Sequence, residues 1–170
     1  MKAVLRKQPA GYRHQYDRMK RYYAKFAEVD EGRDHNESSV HYEDDVYAFF
    51  INCYHLKDWI KNDPAVTAKV PSIGIDIEAF IGNAPDGNEY LQLCGDICNS
   101  QKHFVCNKSN KSRENPKLGS SFTLIRVGKS SSIKISWSIH CGTRGSIDAF
   151  VLATECVKAW DSFLSGKGLK

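Results

Sequence analysis

The chain has 170 residues, 41% of them hydrophobic and 26% charged, with a net charge of +4. A single domain of this size buries roughly 70% of the surface its unfolded chain exposes, so it needs neither disulfides nor a metal to hold a core. The mild excess of Lys and Arg allows an acidic partner such as RNA without demanding one. No window approaches the ~20 apolar residues of a membrane span, which points away from membrane function. The N-terminal MKAVLRKQPAGYRHQYDR lacks the apolar core of a signal peptide. Cys53, Cys94, Cys98, Cys106, Cys141 and Cys156 form no CxxC pair, so the expectation is a cytoplasmic protein with reduced, buried thiols.

Residues 1–9 form a loose basic lead. A first helix is predicted from Gly11 to Val29, because Tyr12, Tyr16, Met19, Tyr23 and Phe26 recur at spacings of four and three. Arg13, Arg18, Lys20, Arg21 and Lys25 fill much of its remaining surface. They are either a solvated face or a phosphate-contacting stripe with tyrosines at hand for stacking. Asp30–Ser39 is polar and reads as a loop. A second helix is predicted over Val40–Lys61, with Val46, Phe49, Phe50, Cys53, Leu56 and Ile60 as a wide core stripe. Pro64 stops it, since the residue before a proline is driven out of the helical region. Ala65–Gly74 reads as a connector, and Asp76 as the cap of a short helix, Ile77–Ile81.

Asn88–Phe104 is predicted as the central helix. Leu91, Leu93, Cys94, Ile97 and Cys98 give it a broad apolar stripe, and its last turns become polar with Asn99, Ser100, Gln101, Lys102 and His103. Asp96, Asn99 and Lys102 stack at spacings of three, with His103 beside them. Lys108–Ser121 is basic and polar and reads as a flexible loop. Phe122–Val127 and Ile133–Ile139 carry β-type residues, the second with Ile133, Ile135, Trp137 and Ile139 on one face, joined by a hairpin loop at Gly128–Ser132. His140–Gly145 is a turn. Asp148–Leu164 is a closing helix, its apolar face built from Phe150/Val151, Ala153/Thr154, Val157, Trp160/Asp161 and Leu164 and its end marked by Gly166 and Gly168. The fold expected is therefore mainly α: one helical-bundle domain over 1–170, with main helices in 10–105, a small antiparallel β-hairpin at 122–140 inserted before the last helix, and the closing helix at 148–165.

Three constellations bear on chemistry. If the second and central helices pack antiparallel, the economical arrangement across a short connector, then His55 and Asp58 fall level with Asp96, and Asn52 with Asn99. That gathers acid/base-capable groups, with Lys57 alongside; the alternative is a polar flank that orients the bundle. Cys94, Cys98, His103 and Cys106 have a ligand-like spacing, but Cys94 and Cys98 share the apolar stripe, so no metal and no cofactor is expected. No cysteine has a His and a carboxylate placed to make it a nucleophile.

Phe49–Trp59, FFINCYHLKDW, followed by Asp96–His103, DICNSQKH, resembles a widespread type of small bacterial protein with HLKDW and CNxxKH motifs and a tryptophan in its closing helix. More distantly the chain is similar to the HEPN superfamily, helical bundles many of whose members are metal-independent ribonucleases of toxin–antitoxin and anti-phage systems. Their motif is an Arg, often followed by Asn, then a His after a short gap, presented in a dimer. Asn99 and His103 match the Asn and His; Cys98 stands where the Arg would be. The resemblance implies a HEPN-like binding or regulatory module for RNA, a nucleotide or a protein partner, working as a homodimer. As the alternative it implies a divergent metal-independent ribonuclease in which His103 is general acid or base, Lys102 and Asn99 hold phosphate and Asp96 assists. Arg18, Arg21, Lys57, His55 and Asp58 are the candidate binding residues, and His103→Ala is expected to leave the fold intact.

Overall fold

A computed structural model describes residues 11–34, 38–83, 87–102, 116–127, 130–142 and 145–170. Among the described residues six helices and four strands follow in the order α1 (Tyr12–Glu31), β1 (Arg33–Asp34), α2 (Ser39–Asn62), α3 (Pro64–Lys69), α4 (Ile73–Ile81), α5 (Glu89–Lys102), β2 (Lys117–Val127), β3 (Ser130–Cys141), β4 (Gly145–Asp148) and α6 (Ala149–Gly166). The mainly helical architecture with a small antiparallel hairpin ahead of the last helix is the one the sequence pattern predicts. None of the described helices is long and apolar enough to cross a membrane.

The helix boundaries follow from local chemistry. Gly11 precedes α1 with a φ of 148°, and a Cβ there would sit 2.8 Å from the Asp63 carboxylate. The bare glycine lets Asp63 Oδ2 accept the Tyr12 N–H at 3.0 Å. The other oxygen, Oδ1, accepts from Ala65 N at 2.9 Å and Val66 N at 3.4 Å, with Pro64 at the first position of α3. One carboxylate thus caps two helices. The proline that ends α2 also begins α3, so Ala65–Lys69 is helix and not connector. Likewise α4 starts at Ile73, four residues before the predicted start, and Asp76 lies in its first turn, where its charge suits the dipole. Asp148 caps α6 by accepting from Phe150 N and Val151 N at 2.8 and 2.9 Å.

The second-helix stripe is buried as read: Val46, Phe49, Phe50, Cys53, Leu56 and Ile60 are each at most 1% exposed. On α1 the seam is wider than its apolar residues, because Gln15 is also buried. Its amide donates to the backbone and side-chain oxygens of Asn52, both at 3.0 Å, which satisfies a group that would otherwise be costly inside. On α6 the core face runs through Leu152, Cys156 and Phe163, while Val151 is exposed. The largest departure concerns α5. Every residue from Leu91 to Cys98 is buried, Gln92 and Asp96 included. The helix is enclosed by α2, α4 and α6 and has no solvated face over that stretch.

In the sheet, β3 is central. One edge pairs antiparallel with β2 from Lys117↔His140 to Val127↔Ser130, and the other edge is shared by β1 at Arg33↔Ile133 and β4 at Ile139↔Ile147. The hairpin is longer than predicted at both ends. Lys117–Ser121 is strand although its composition reads as loop, because it pairs along β3; 108–115 lies outside the described residues. Arg33–Asp34, read as loop, and Gly145–Asp148, which follows the expected turn at His140–Gly145 and takes in the residue read as the start of the last helix, are the short edge pairings. The alternation on β3 holds where side chains are described: Ile135, Trp137, Ile139 and Cys141 are buried and pack the sheet on the bundle, Trp137 meeting Phe26 edge-on at 5.6 Å between ring centres. The C-terminus is tied down, with Tyr12 Oη and Arg13 donating to the Leu169 carbonyl and Lys167 pairing with Asp76 at 2.6 Å.

Candidate functional site

Two places bring chemistry-bearing residues together, one on the surface of α1 and one inside the bundle. On α1, successive turns put Arg18, Arg21, Tyr22 and Lys25 on one outward face, where they line a cavity of about 230 Å³. Arg18 is oriented by Gln15 Oε1 at 3.4 Å and His14 Nε2 at 3.0 Å. Lys25 reaches Asp45 of α2 at 3.1 Å and lies 5.5 Å from the Tyr22 ring centre. Arg21 is exposed. Two guanidinium groups, an ammonium and a phenol ring around one depression can hold an anion and stack a planar group.

The α2–α5 contact carries the acid/base residues, and its register differs from the one expected. Cys94 meets Phe50 and Cys53, Gly95 meets Tyr54, and Cys98 meets His55. The pairing advances in the same direction along the two helices, with α3 and α4 lengthening the connection between them. A Cβ on Gly95 would lie 2.6 Å from the Tyr54 ring, so the glycine sets how closely the helices approach. Burial pushes the Tyr54 hydroxyl well above its ordinary range, and Cys94, Asp96, Cys98 and Asp58 add to this electrostatically.

Of the residues singled out from sequence, Asp96 is buried at 1% exposure. His55 is half-buried, its Nε2 3.9 Å from Cys98 Sγ. Asp58 pairs with Lys57 at 2.6 Å, and Lys57 sits 5.0 Å from the Tyr54 ring centre, so both are tied to the helix surface. Asn99 is half-buried, Lys102 ends α5 with only its backbone described, and His103 lies outside the described residues. Arg18 and Arg21 are the predicted binding residues that share a cavity.

Inside the bundle, Cys53 of α2, Cys94 of α5 and Cys156 of α6 bring their sulfur atoms within 4.8 Å of one another, all fully buried. Cys94 Sγ donates to the Phe50 carbonyl at 3.4 Å and Cys156 Sγ to the Tyr90 carbonyl at 3.3 Å, while Trp160 Nε1 donates to the Cys53 carbonyl at 3.1 Å. Burial drives the Cys94 and Cys156 thiols up. At Cys53 burial acts the same way, opposed by the polar groups of Cys156, Cys94 and Trp160 beside it, which bring the thiol down. The ligand-like spacing of Cys94, Cys98, His103 and Cys106 is not what converges here: Cys98 turns to His55, and His103 and Cys106 lie outside the described residues. Sequence reading missed this triad because its members are 41 and 62 residues apart; the signal it offered was that Cys53 and Cys94 fall on the apolar stripes of their helices, and Cys156 was not placed on one.

A second cavity, of about 220 Å³, lies between the start of α5 and the β3 and β4 strands, lined by Glu89, Tyr90, Leu93, Cys141, Ser146 and Ile147 among others. No family model, curated protein or solved structure matches the chain.

Proposed function

We propose that this chain is a HEPN-like binding or regulatory module that takes RNA or a nucleotide on the outer face of α1, without catalysis. The observation that supports the reading is the cavity shared by Arg18, Arg21, Tyr22 and Lys25. Its cations would meet phosphate oxygens and Tyr22 would stack a base, the combination used for single-stranded nucleic acid. The reading is further favoured by position 98. The resemblance calls for an Arg there, to balance charge on a phosphorane-like transition state; here the residue is a fully buried cysteine against His55. The resemblance also makes a homodimer the working form, which sedimentation of the purified chain checks.

The test is fluorescence anisotropy of a labelled single-stranded RNA over a series of salt concentrations, with the Arg18→Ala/Arg21→Ala double variant beside wild type. Removing two phosphate contacts should weaken binding and flatten the salt dependence by about 1.4 in log–log slope. Absence of RNA binding by wild type, or unchanged binding by the double variant, overturns the proposal. The same RNA is followed for cleavage in EDTA: cleavage that disappears in His103→Ala would replace the binding module with a metal-independent ribonuclease.

A further inference from the structure

We propose that Cys53, Cys94 and Cys156 form a closed, three-thiolate site for a thiophilic closed-shell ion of the Cu(I) type, in the core and independent of the α1 surface. The argument starts from geometry. Three sulfurs, each from a different helix, lie within 4.8 Å of one another. Metal–sulfur bonds of about 2.3 Å place three coplanar sulfurs about 4.0 Å apart, so the cluster closes around an ion with sub-ångström side-chain adjustment. Thiolate ligands select Cu(I) and zinc among the common ions. Coordination number separates the two. A structural zinc site takes four ligands, and a catalytic one adds a water to three. The triad offers three sulfurs at zero exposure, and among the described residues no other His, Cys, Asp or Glu joins the group. A trigonal ion fits and a tetrahedral one is left short.

The surroundings suit a bound ion more than reactive thiols. The three cysteines are fixed by helix backbones, and the carbonyls of Phe50 and Tyr90, which now accept from Cys94 and Cys156, lie at the rim of the cluster. Trp160 holds the Cys53 backbone from below. Uptake exchanges protons for the ion with no change of oxidation state. The S–H bonds of Cys53, Cys94 and Cys156 break, three copper–sulfur bonds form, and three protons pass to solvent. Affinity therefore rises with pH.

The site would staple α2, α5 and α6, so binding has a stability readout as well as a spectroscopic one. The experiment is titration of the reduced, full-length chain with buffered Cu(I), each point taken to equilibrium, following sulfur-to-copper charge-transfer absorption and the melting temperature. Wild type and Cys141→Ala, which changes a buried cysteine outside the cluster, should each bind one equivalent and melt higher. Cys53→Ala, Cys94→Ala and Cys156→Ala should each lose at least about tenfold in affinity. Zn(II) should bind more weakly than Cu(I). Because a core variant could fail for lack of folding, X-ray absorption on the wild-type copper form reads the site directly: three sulfurs at about 2.3 Å are expected. No charge-transfer band in wild type, a copper shell with two sulfurs or with nitrogen, or folded cysteine variants that bind as wild type does, would overturn the assignment.

Discussion

Substituting Gly95 by Ala tests how α2 and α5 are held together. In an isolated helix the change is favourable by about 1 kcal/mol, because Gly gives up more backbone freedom than Ala. Here a Cβ would lie 2.6 Å from Tyr54 Cε2 and 2.9 Å from Cζ. Real carbon contacts do not occur at that range, and the ring is only 8% exposed with Lys57 over it, so it has little room to withdraw. Overpacking of this kind costs about 1–3 kcal/mol. The clash should win, with a net loss of up to about 2 kcal/mol, or a melting temperature lower by up to about 8 °C for a chain of this length. The assay is thermal unfolding in four proteins: wild type, Gly95→Ala, Tyr54→Leu and the double variant. Tyr54→Leu removes the ring, so in that background Gly95→Ala should be neutral or stabilising, and the sign of the effect reverses. A Gly95→Ala variant as stable as wild type, or one equally destabilised with and without the ring, would refute the close approach.

Asp63→Ala strips the caps of α1 and α3 together and should cost about 1–3 kcal/mol in urea unfolding, with Asp63→Asn milder because Asn still accepts at one cap. A loss no larger than that of Ser38→Ala, which removes one long 3.4 Å cap contact, would show that the double cap is unimportant. At Asp30, burial first and the charge of Asp148 second raise the carboxyl above its usual range. The ionised form is thus disfavoured in the folded state, and the penalty is absent below the ordinary carboxylate range and complete above the raised value. Asp30→Asn should therefore raise the melting temperature at neutral pH, with the gain fading as the medium is acidified; a gain that grows in acid would reverse the reasoning.

Burial on α2 was legible residue by residue, because apolar groups at helical spacing have no other economical place. The β3 alternation and the start of the closing helix at Asp148 were legible for the same reason: each is a local rule. What local rules could not supply were facts about pairing. Lys117–Ser121 becomes strand by lying along β3, and the composition of Leu91–Cys98 gives no sign that this stretch of α5 will be enclosed on all sides. A polar run such as Asn88, Gln92 and Asp96 looks solvated until the partner of each group is known; Gln92, for one, donates to the Ile81 carbonyl at 3.1 Å. The candidate site divides the same way. Arg18 and Arg21 could be placed on one face from their spacing alone. The meeting of His55 with Cys98, and of Cys53 with Cys94 and Cys156, depends on helix register, which spacing does not fix.

The burial of α5 also decides what position 98 can do. A nuclease arginine must reach a phosphate, so its guanidinium has to stand in or beside solvent. Cys98 is fully buried, with the His55 ring 3.9 Å from its sulfur. Asp96 does not rescue a cation there, since residues two apart on a helix do not face each other. Cys98→Arg would bury an uncompensated charge, a change that costs about 3–5 kcal/mol and leaves little of a typical domain's stability. The expected outcome is a protein that fails to fold or melts far below wild type, whereas Cys98→Ala, which loses only a small buried side chain, stays folded. Circular dichroism and thermal melting of the two variants make the comparison. Should Cys98→Arg fold normally and cut RNA in EDTA, the end of α5 would have to open to solvent, and the proposal that binding falls to α1 while α5 is scaffold would be wrong.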